Sequence, residues 1–241
     1  MGTRVAASIG TVMRMNENHM SSNPQVDVRK AARAMASAGL STAFGHCSVR
    51  LDGDSFLVCR AGALSTIKPG ESGSVVRVSG SLPEGVLGEV RIHQQIYARR
   101  PEIGAACRLA SPNVTAVSAL GFAPRIRHGF GAMFAPEVKY WEDIRLMRDD
   151  TIAAGVAQAM GDSPAIILRG NGAVTAGVDL KQALCLAWFL EDMARVELAV
   201  LSSGRAEQAP VFTAEEALGR LTWAGLVAER AWDHLTALDP E

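Results

Sequence analysis

Glu89-Val90-Arg91-Ile92-His93-Gln94-Gln95-Ile96-Tyr97-Ala98-Arg99-Arg100-Pro101 leads into Glu102-Ile103-Gly104-Ala105-Ala106-Cys107-Arg108-Leu109-Ala110-Ser111-Pro112. The first part has helical spacing. Ile92, Ile96 and Tyr97 share one face, and Pro101 stands just past the point where the pattern stops. The spacing predicts a helix over residues 90–100. Residues 105–109 then read as a short apolar strand, and Pro112 opens a helix over 112–120, where its missing N–H costs nothing. Helices that alternate with short apolar strands point to an α/β domain in which helices cover a sheet.

The flanking sequence extends this pattern. Residues 26–39 have amphipathic spacing and end at Gly39, a natural helix stop. Residues 43–50 and 55–60 read as strands joined by the turn Asp52-Gly53-Asp54, and 74–78 as a third strand. Residues 124–141 read as loop. Residues 149–160 read as a helix. Residues 165–168 and 173–176 read as strands reversing at Gly170-Asn171-Gly172, whose glycines suit a tight turn. A long helix is expected over 180–202 and a final helical region over 213–238, after the Gln208-Ala209-Pro210 break. Residues 1–25 read as a flexible extension and 26–241 as one domain, with no internal repeat or linker.

Bulk properties narrow the function classes. With 241 residues, 48% of them hydrophobic, the chain is long enough to bury a substantial core. A net charge of −1 gives no electrostatic case for nucleic acid or an anionic membrane as partner. No apolar run reaches the roughly 18 residues a membrane helix needs. Cys47, Cys59, Cys107 and Cys185 form no Cys-x-x-Cys pair, so buried free thiols and a cytoplasmic location are expected.

Five motifs, in order, carry a family resemblance. They are Ala43-Phe44-Gly45-His46-Cys47-Ser48-Val49-Arg50; Ser55-Phe56-Leu57-Val58-Cys59-Arg60; the run that opens at Glu89; His128-Gly129-Phe130-Gly131-Ala132 with Val138-Lys139-Tyr140-Trp141; and Ile167-Leu168-Arg169-Gly170-Asn171-Gly172-Ala173-Val174-Thr175-Ala176-Gly177. Together they resemble the class II aldolase/adducin family across residues 26–201. That family includes sugar-phosphate aldolases, an epimerase and metal-dependent decarboxylases. The Gly45-His46 form and the His128 segment resemble its branch that decarboxylates hydroxylated aromatic or pyridine dicarboxylates. The resemblance implies a single α/β/α layered domain with a mixed, largely antiparallel central sheet. It also implies a homotetramer with active sites at subunit interfaces.

The family pattern is Glu-x-x-x-His, then His-x-His, then His-Gly. Glu89 and His93 fill the first motif. Arg108 and Ala110 stand where the second has histidines, and Asn171 where the third has one. A guanidinium cannot ligate a metal, alanine has no donor, and Asn171 offers a neutral amide oxygen. No cofactor is therefore expected, although a divalent metal rebuilt on His46, His93, His128 and Glu89 is a competing reading. In the metal's place the resemblance offers Arg108, a fixed cation with a donor fork that can stabilise an anion.

The resemblance assigns Glu89, Arg108 and His93 to catalysis, with Glu89 as the proton carrier. Gly45, His46, Ser48, His128 and Asn171, which lie in its motifs, and Arg60, as a carboxylate clamp, are expected to bind a small-molecule substrate. Each has a plainer reading. Glu89 also suits a helix N-terminal turn, His93 a positioning role, Arg108 an interface ion pair and Arg60 the surface. Asn171 also suits a left-handed turn. The expected activity is a lyase acting on a small oxygenated carboxylic acid, by decarboxylation or retro-aldol cleavage. The alternatives are a non-catalytic adducin-like assembly protein and a metal-independent isomerase or cyclase.

Overall fold

The computed structural model describes residues 23–41 and 43–241, so the expected extension lies outside the described residues up to position 22. Helix α1 (Pro24–Ser37) starts two residues earlier than the spacing predicts. Asn23 causes this: its Oδ1 accepts the Gln25 N–H at 3.0 Å, and Pro24 takes the first helical position. Seven strands follow: β1 (His46–Arg50), β2 (Ser55–Val58), β3 (Ser74–Arg77), β4 (Ala105–Leu109), β5 (Lys139–Trp141), β6 (Ala165–Leu168) and β7 (Ala173–Gly177). The remaining helices are α2 (Arg91–Arg99), α3 (Pro112–Ala119), α4 (Asp150–Met160), α5 (Leu180–Ser202), α6 (Ala214–Arg220) and α7 (Val227–Thr236).

The strands form one sheet in the order β3-β2-β1-β4-β7-β6-β5. Every pairing is antiparallel except β5 with β6. This is the mixed, largely antiparallel sheet expected of the family likeness. Side chains alternate across it, so each face has its own core. Cys47, Cys107, Leu109, Leu184 and Leu190 pack on the side of α1 and α5. Phe56, Val76, Ile92, Ile96, Tyr97, Val156 and Val174 pack on the side of α2 and α4. The result is a three-layer α/β/α arrangement. Ile92 and Ile96, almost wholly buried, each contribute about 1.5–3 kcal/mol to seating α2.

Two segments depart from the sequence reading. Lys139–Trp141 forms an edge strand where a loop was expected, because a parallel partner in β6 supplies the pairing that local propensity does not announce. The final helical region is two helices. Thr213 and Glu216 form a capping box on α6. The chain then breaks where Gly225 and Leu226 take φ of 81° and 60° before α7 begins. No described helix is long and apolar enough to cross a membrane.

One buried ion cluster ties the layer of α5 to the loop before β5. Glu197 of α5 is fully buried and lies 2.6 Å from Arg127 Nε and 2.7 Å from Arg125. Burial pushes the Glu197 carboxyl up, but the two arginines outweigh it and hold it below its ordinary range. Removing the carboxylate strands the buried Arg127. We expect Glu197→Ala to cost about 3–5 kcal/mol in urea unfolding. A loss below about 1 kcal/mol, the value of an exposed pair, would show that the cluster carries no such weight.

Candidate active site

Two glycines let the backbone close around β4. A Cβ on Gly45 would lie 2.8 Å from the Arg108 carbonyl oxygen and 2.2 Å from Ser41 Oγ, so only glycine permits this approach to β4. At Gly172, with φ of 73°, a Cβ would lie 2.1 Å from the Leu109 carbonyl oxygen. That contact draws the β6–β7 turn over the end of β4 and sets Asn171 beside Arg108. The β1–β4 register pairs His46 with Arg108 and Ser48 with Ala106. Directly paired residues share a sheet face, so His46, Ser48 and Arg108 all stand on the side covered by α2.

Helix α2 contributes His93 and Tyr97, one turn apart on its inner face. His46 Nδ1 lies 3.1 Å from His93 Nε2. His93 Nδ1 lies 2.6 Å from Ser48 Oγ, which lies 2.8 Å from the Tyr97 hydroxyl. Arg50 covers the Tyr97 ring at 4.7 Å and donates to the Tyr97 carbonyl. The whole chain is buried. Burial, then the charge of Arg108, pushes His93 down to about 3. Burial, with His93 and Arg108 adding to it, holds His46 well below its ordinary value. Both rings are neutral at physiological pH.

Arg108 is itself buried, 7% exposed. One of its terminal nitrogens donates to Asn171 Oδ1 at 2.8 Å and the other to the Leu109 carbonyl. Its Nε meets no partner among the described residues. Burial pulls the guanidinium down to about 10 while the charge of Glu89 acts to raise it, so it is cationic at neutral pH. Glu89 lies in the single 3-10 turn Gly88–Val90 that precedes α2. Its Oε1 accepts from Arg148 Nε at 2.8 Å, and Arg148 is largely exposed. Glu89 thus sits between a buried cation and solvent.

The structure brings together Gly45, His46, Ser48, His93, Arg108 and Asn171, with Glu89 at the margin. It does not bring Arg60 or His128 to them within one chain. Arg60 donates to Glu71, Thr66 and the Ala61 carbonyl. His128 faces α5 on the other side of the sheet, 3.7 Å from Asp192 and edge-on to Phe130. Ser48, expected to meet substrate, has its hydroxyl between His93 and Tyr97. The sequence presents Tyr97 only as part of the apolar helix face and does not single out Arg148 at all. Tyr97 follows His93 by four residues, a spacing that places both on one helix face. Arg148 is too far from Glu89 along the chain to leave any such signal.

The donor set does not fit a divalent ion. Arg108 and Ala110 offer no lone pair, both His93 nitrogens are engaged, and Glu89 is ion-paired to Arg148. Among the described residues no three His, Cys, Asp or Glu side chains stand where they could hold a metal.

Comparison with known proteins agrees with this architecture. The sequence profile of the Class II Aldolase and Adducin N-terminal domain matches residues 26–198, and the chain belongs to this family. A 3,4-dihydroxyphthalate decarboxylase of Rhodococcus jostii (strain RHA1) is 29% identical over 208 residues, covering 79% of this chain and 85% of the relative. Beta-adducin of Rattus norvegicus is 27% identical over 204 residues, covering 78% of this chain but 28% of adducin. The solved L-fuculose 1-phosphate aldolase from Glaciozyma antarctica PI12 has the same fold, with a TM-score of 0.75 at 21% identity over 95% of this chain and 96% of that one.

The neutral histidines set a pH dependence. Their folded pKa values lie below the unfolded value, so the unfolded chain binds more protons as pH falls. Their contribution is complete above an unfolded pKa of about 6.5 and is lost progressively toward the folded value of about 3 for His93. Replacing His93 with glutamine removes one titrating group. We expect His93→Gln to flatten the fall in urea stability between these limits by up to about 1.4 kcal/mol per pH unit. An unchanged slope would mean that His93 is protonated in the folded state.

Proposed function

We propose that the chain is a carbon–carbon lyase acting on a small hydroxylated carboxylic acid, with the Arg108 guanidinium serving the anion in place of a divalent metal. The observation that carries this reading is the buried Arg108 guanidinium with its Nε donor unspent. Such a group in a low-dielectric setting attracts a carboxylate or an oxygen that gains charge during reaction. The decarboxylase relative supports the reaction class, and the family fold supports the placement.

In this mechanism the substrate's oxygen binds at Arg108. The bond between carbon and the departing carboxylate breaks, and its electron pair stays on carbon, delocalised toward the oxygen held by the guanidinium. Glu89 takes a proton from solvent on its Arg148 side and passes it to that carbon, and carbon dioxide leaves. Asn171 steadies the guanidinium through its amide oxygen. A homotetramer with sites at subunit interfaces belongs to the same proposal, in which a neighbouring chain supplies the remaining wall.

The test offers 3,4-dihydroxyphthalate to the purified protein and follows carbon dioxide release with and without a chelator. Turnover that persists with chelator is expected. Arg108→Lys should keep the circular dichroism spectrum and lose about 10²–10³ in kcat, since a lysine keeps the charge but not the fork. Equal turnover in the lysine variant would remove Arg108 from the mechanism. Absence of release across hydroxylated aromatic acids would favour the adducin-like, non-catalytic reading.

A further inference from the structure

The hydrogen-bond chain beneath α2 ends on a ring nitrogen with nothing to bind. The Tyr97 hydroxyl has one neighbour among the described residues, Ser48 Oγ. Ser48 Oγ has a second, His93 Nδ1. Serine has one proton to give, so two polarities compete. In the first, Tyr97 donates to Ser48 and Ser48 donates to His93 Nδ1. His93 then carries its proton on Nε2 and donates to His46 Nδ1, which leaves the His46 proton on Nε2. In the second, every bond runs in reverse, and the phenolic proton is left buried without an acceptor.

The first polarity leaves one buried group unmade, the His46 Nε2–H, whereas the second leaves two, the Tyr97 O–H and the His46 Nε2 lone pair. Each buried polar group left unmade costs about 1–3 kcal/mol, so the second polarity carries the larger penalty. A phenol is also a stronger donor than an aliphatic hydroxyl. The first polarity wins, and His46 presents an N–H on the side of its ring away from His93. His46 is 3% exposed and Nε2 meets no described partner. The same residue forms part of the wall of a cavity of about 10 Å³ that also touches Val58, Cys59, Ser74, Val86 and Leu87. That is room for one oxygen-sized group.

We propose that Tyr97 and Ser48, acting through His93, hold His46 as a neutral imidazole whose Nε2–H donates to one acceptor oxygen of an organic acid, seated in that cavity. Tyr97, Ser48 and His93 are positioning residues in this arrangement, and His46 touches the ligand. The polarity of the chain stands without the lyase reading, whereas the choice of an organic acid's oxygen as acceptor rests on it. A largely apolar wall that presents the His46 N–H favours an acceptor atom, because a donor placed there would face His46 N–H to N–H. The low folded pKa values of both rings agree with neutral donors.

Magic-angle-spinning NMR of protein carrying 13C,15N-histidine reads each tautomer directly, and the through-space contact between the His46 and His93 rings identifies the pair. Both rings are expected with the proton on Nε2. A proton on His46 Nδ1, or on both of its nitrogens, would overturn the proposal. Ser48→Ala should leave His46 a mixture of tautomers, and an unchanged tautomer would remove Ser48 from its positioning role. Saturating 3,4-dihydroxybenzoate should shift the His46 Nε2 signal and leave its tautomer in place. A silent Nε2 signal would overturn the ligand assignment alone, and failure of the lyase reading would show separately as absent carbon dioxide release.

Discussion

The pairing of His46 with Arg108 across β1 and β4 sets the rest of the site. It places a permanent cation and an imidazole side by side on one face of the sheet, under α2. A slip of one residue would turn both toward the opposite core. Gly45 and Gly172 allow the close backbone contacts at the two margins of this pair. The hydrophobic seating of α2 through Ile92 and Ile96 then delivers His93 and Tyr97 onto the same spot.

A buried cation costs stability unless its surroundings answer it. Here the answer is partial. Asn171 and a main-chain carbonyl each accept from the Arg108 fork, Glu89 contributes charge from the rim, and Nε stays unspent. Burial, with the same cation adding to it, keeps both histidines neutral, which turns a would-be pair of bases into a relay of neutral donors. The buried carboxylate of Glu197 is answered by Arg125 and Arg127, although Arg127 and Arg33 each leave one terminal nitrogen without a described partner.

Much of the fold was legible in the sequence. The period of Ile92, Ile96 and Tyr97, the stop at Pro101 and the turn glycines at 170 and 172 each act locally and leave a local trace. The edge strand Lys139–Trp141 did not, because its order comes from β6 rather than from its own residues. The break between α6 and α7 rests on backbone angles at Gly225 and Leu226 that composition does not announce. For the site, motif order named Glu89, His93, Arg108, His46 and Asn171, but not how they connect. Ser48 was expected to face a ligand and instead links His93 to Tyr97. Arg60 and His128 share the motifs, yet Arg60 is bound to Glu71 and His128 faces α5 on the other side of the sheet. Those relations depend on sheet register and helix docking, which one sequence does not display.

In the proposed mechanism the Arg108 guanidinium serves the anion in place of a divalent ion. Elemental mass spectrometry of freshly purified, tag-free protein tests it most directly. Zinc, manganese, iron, cobalt and nickel are each expected far below one equivalent per chain. Close to one equivalent of any of them, lost together with His46 or Glu89 on substitution, would contradict the account and return the site to metal chemistry.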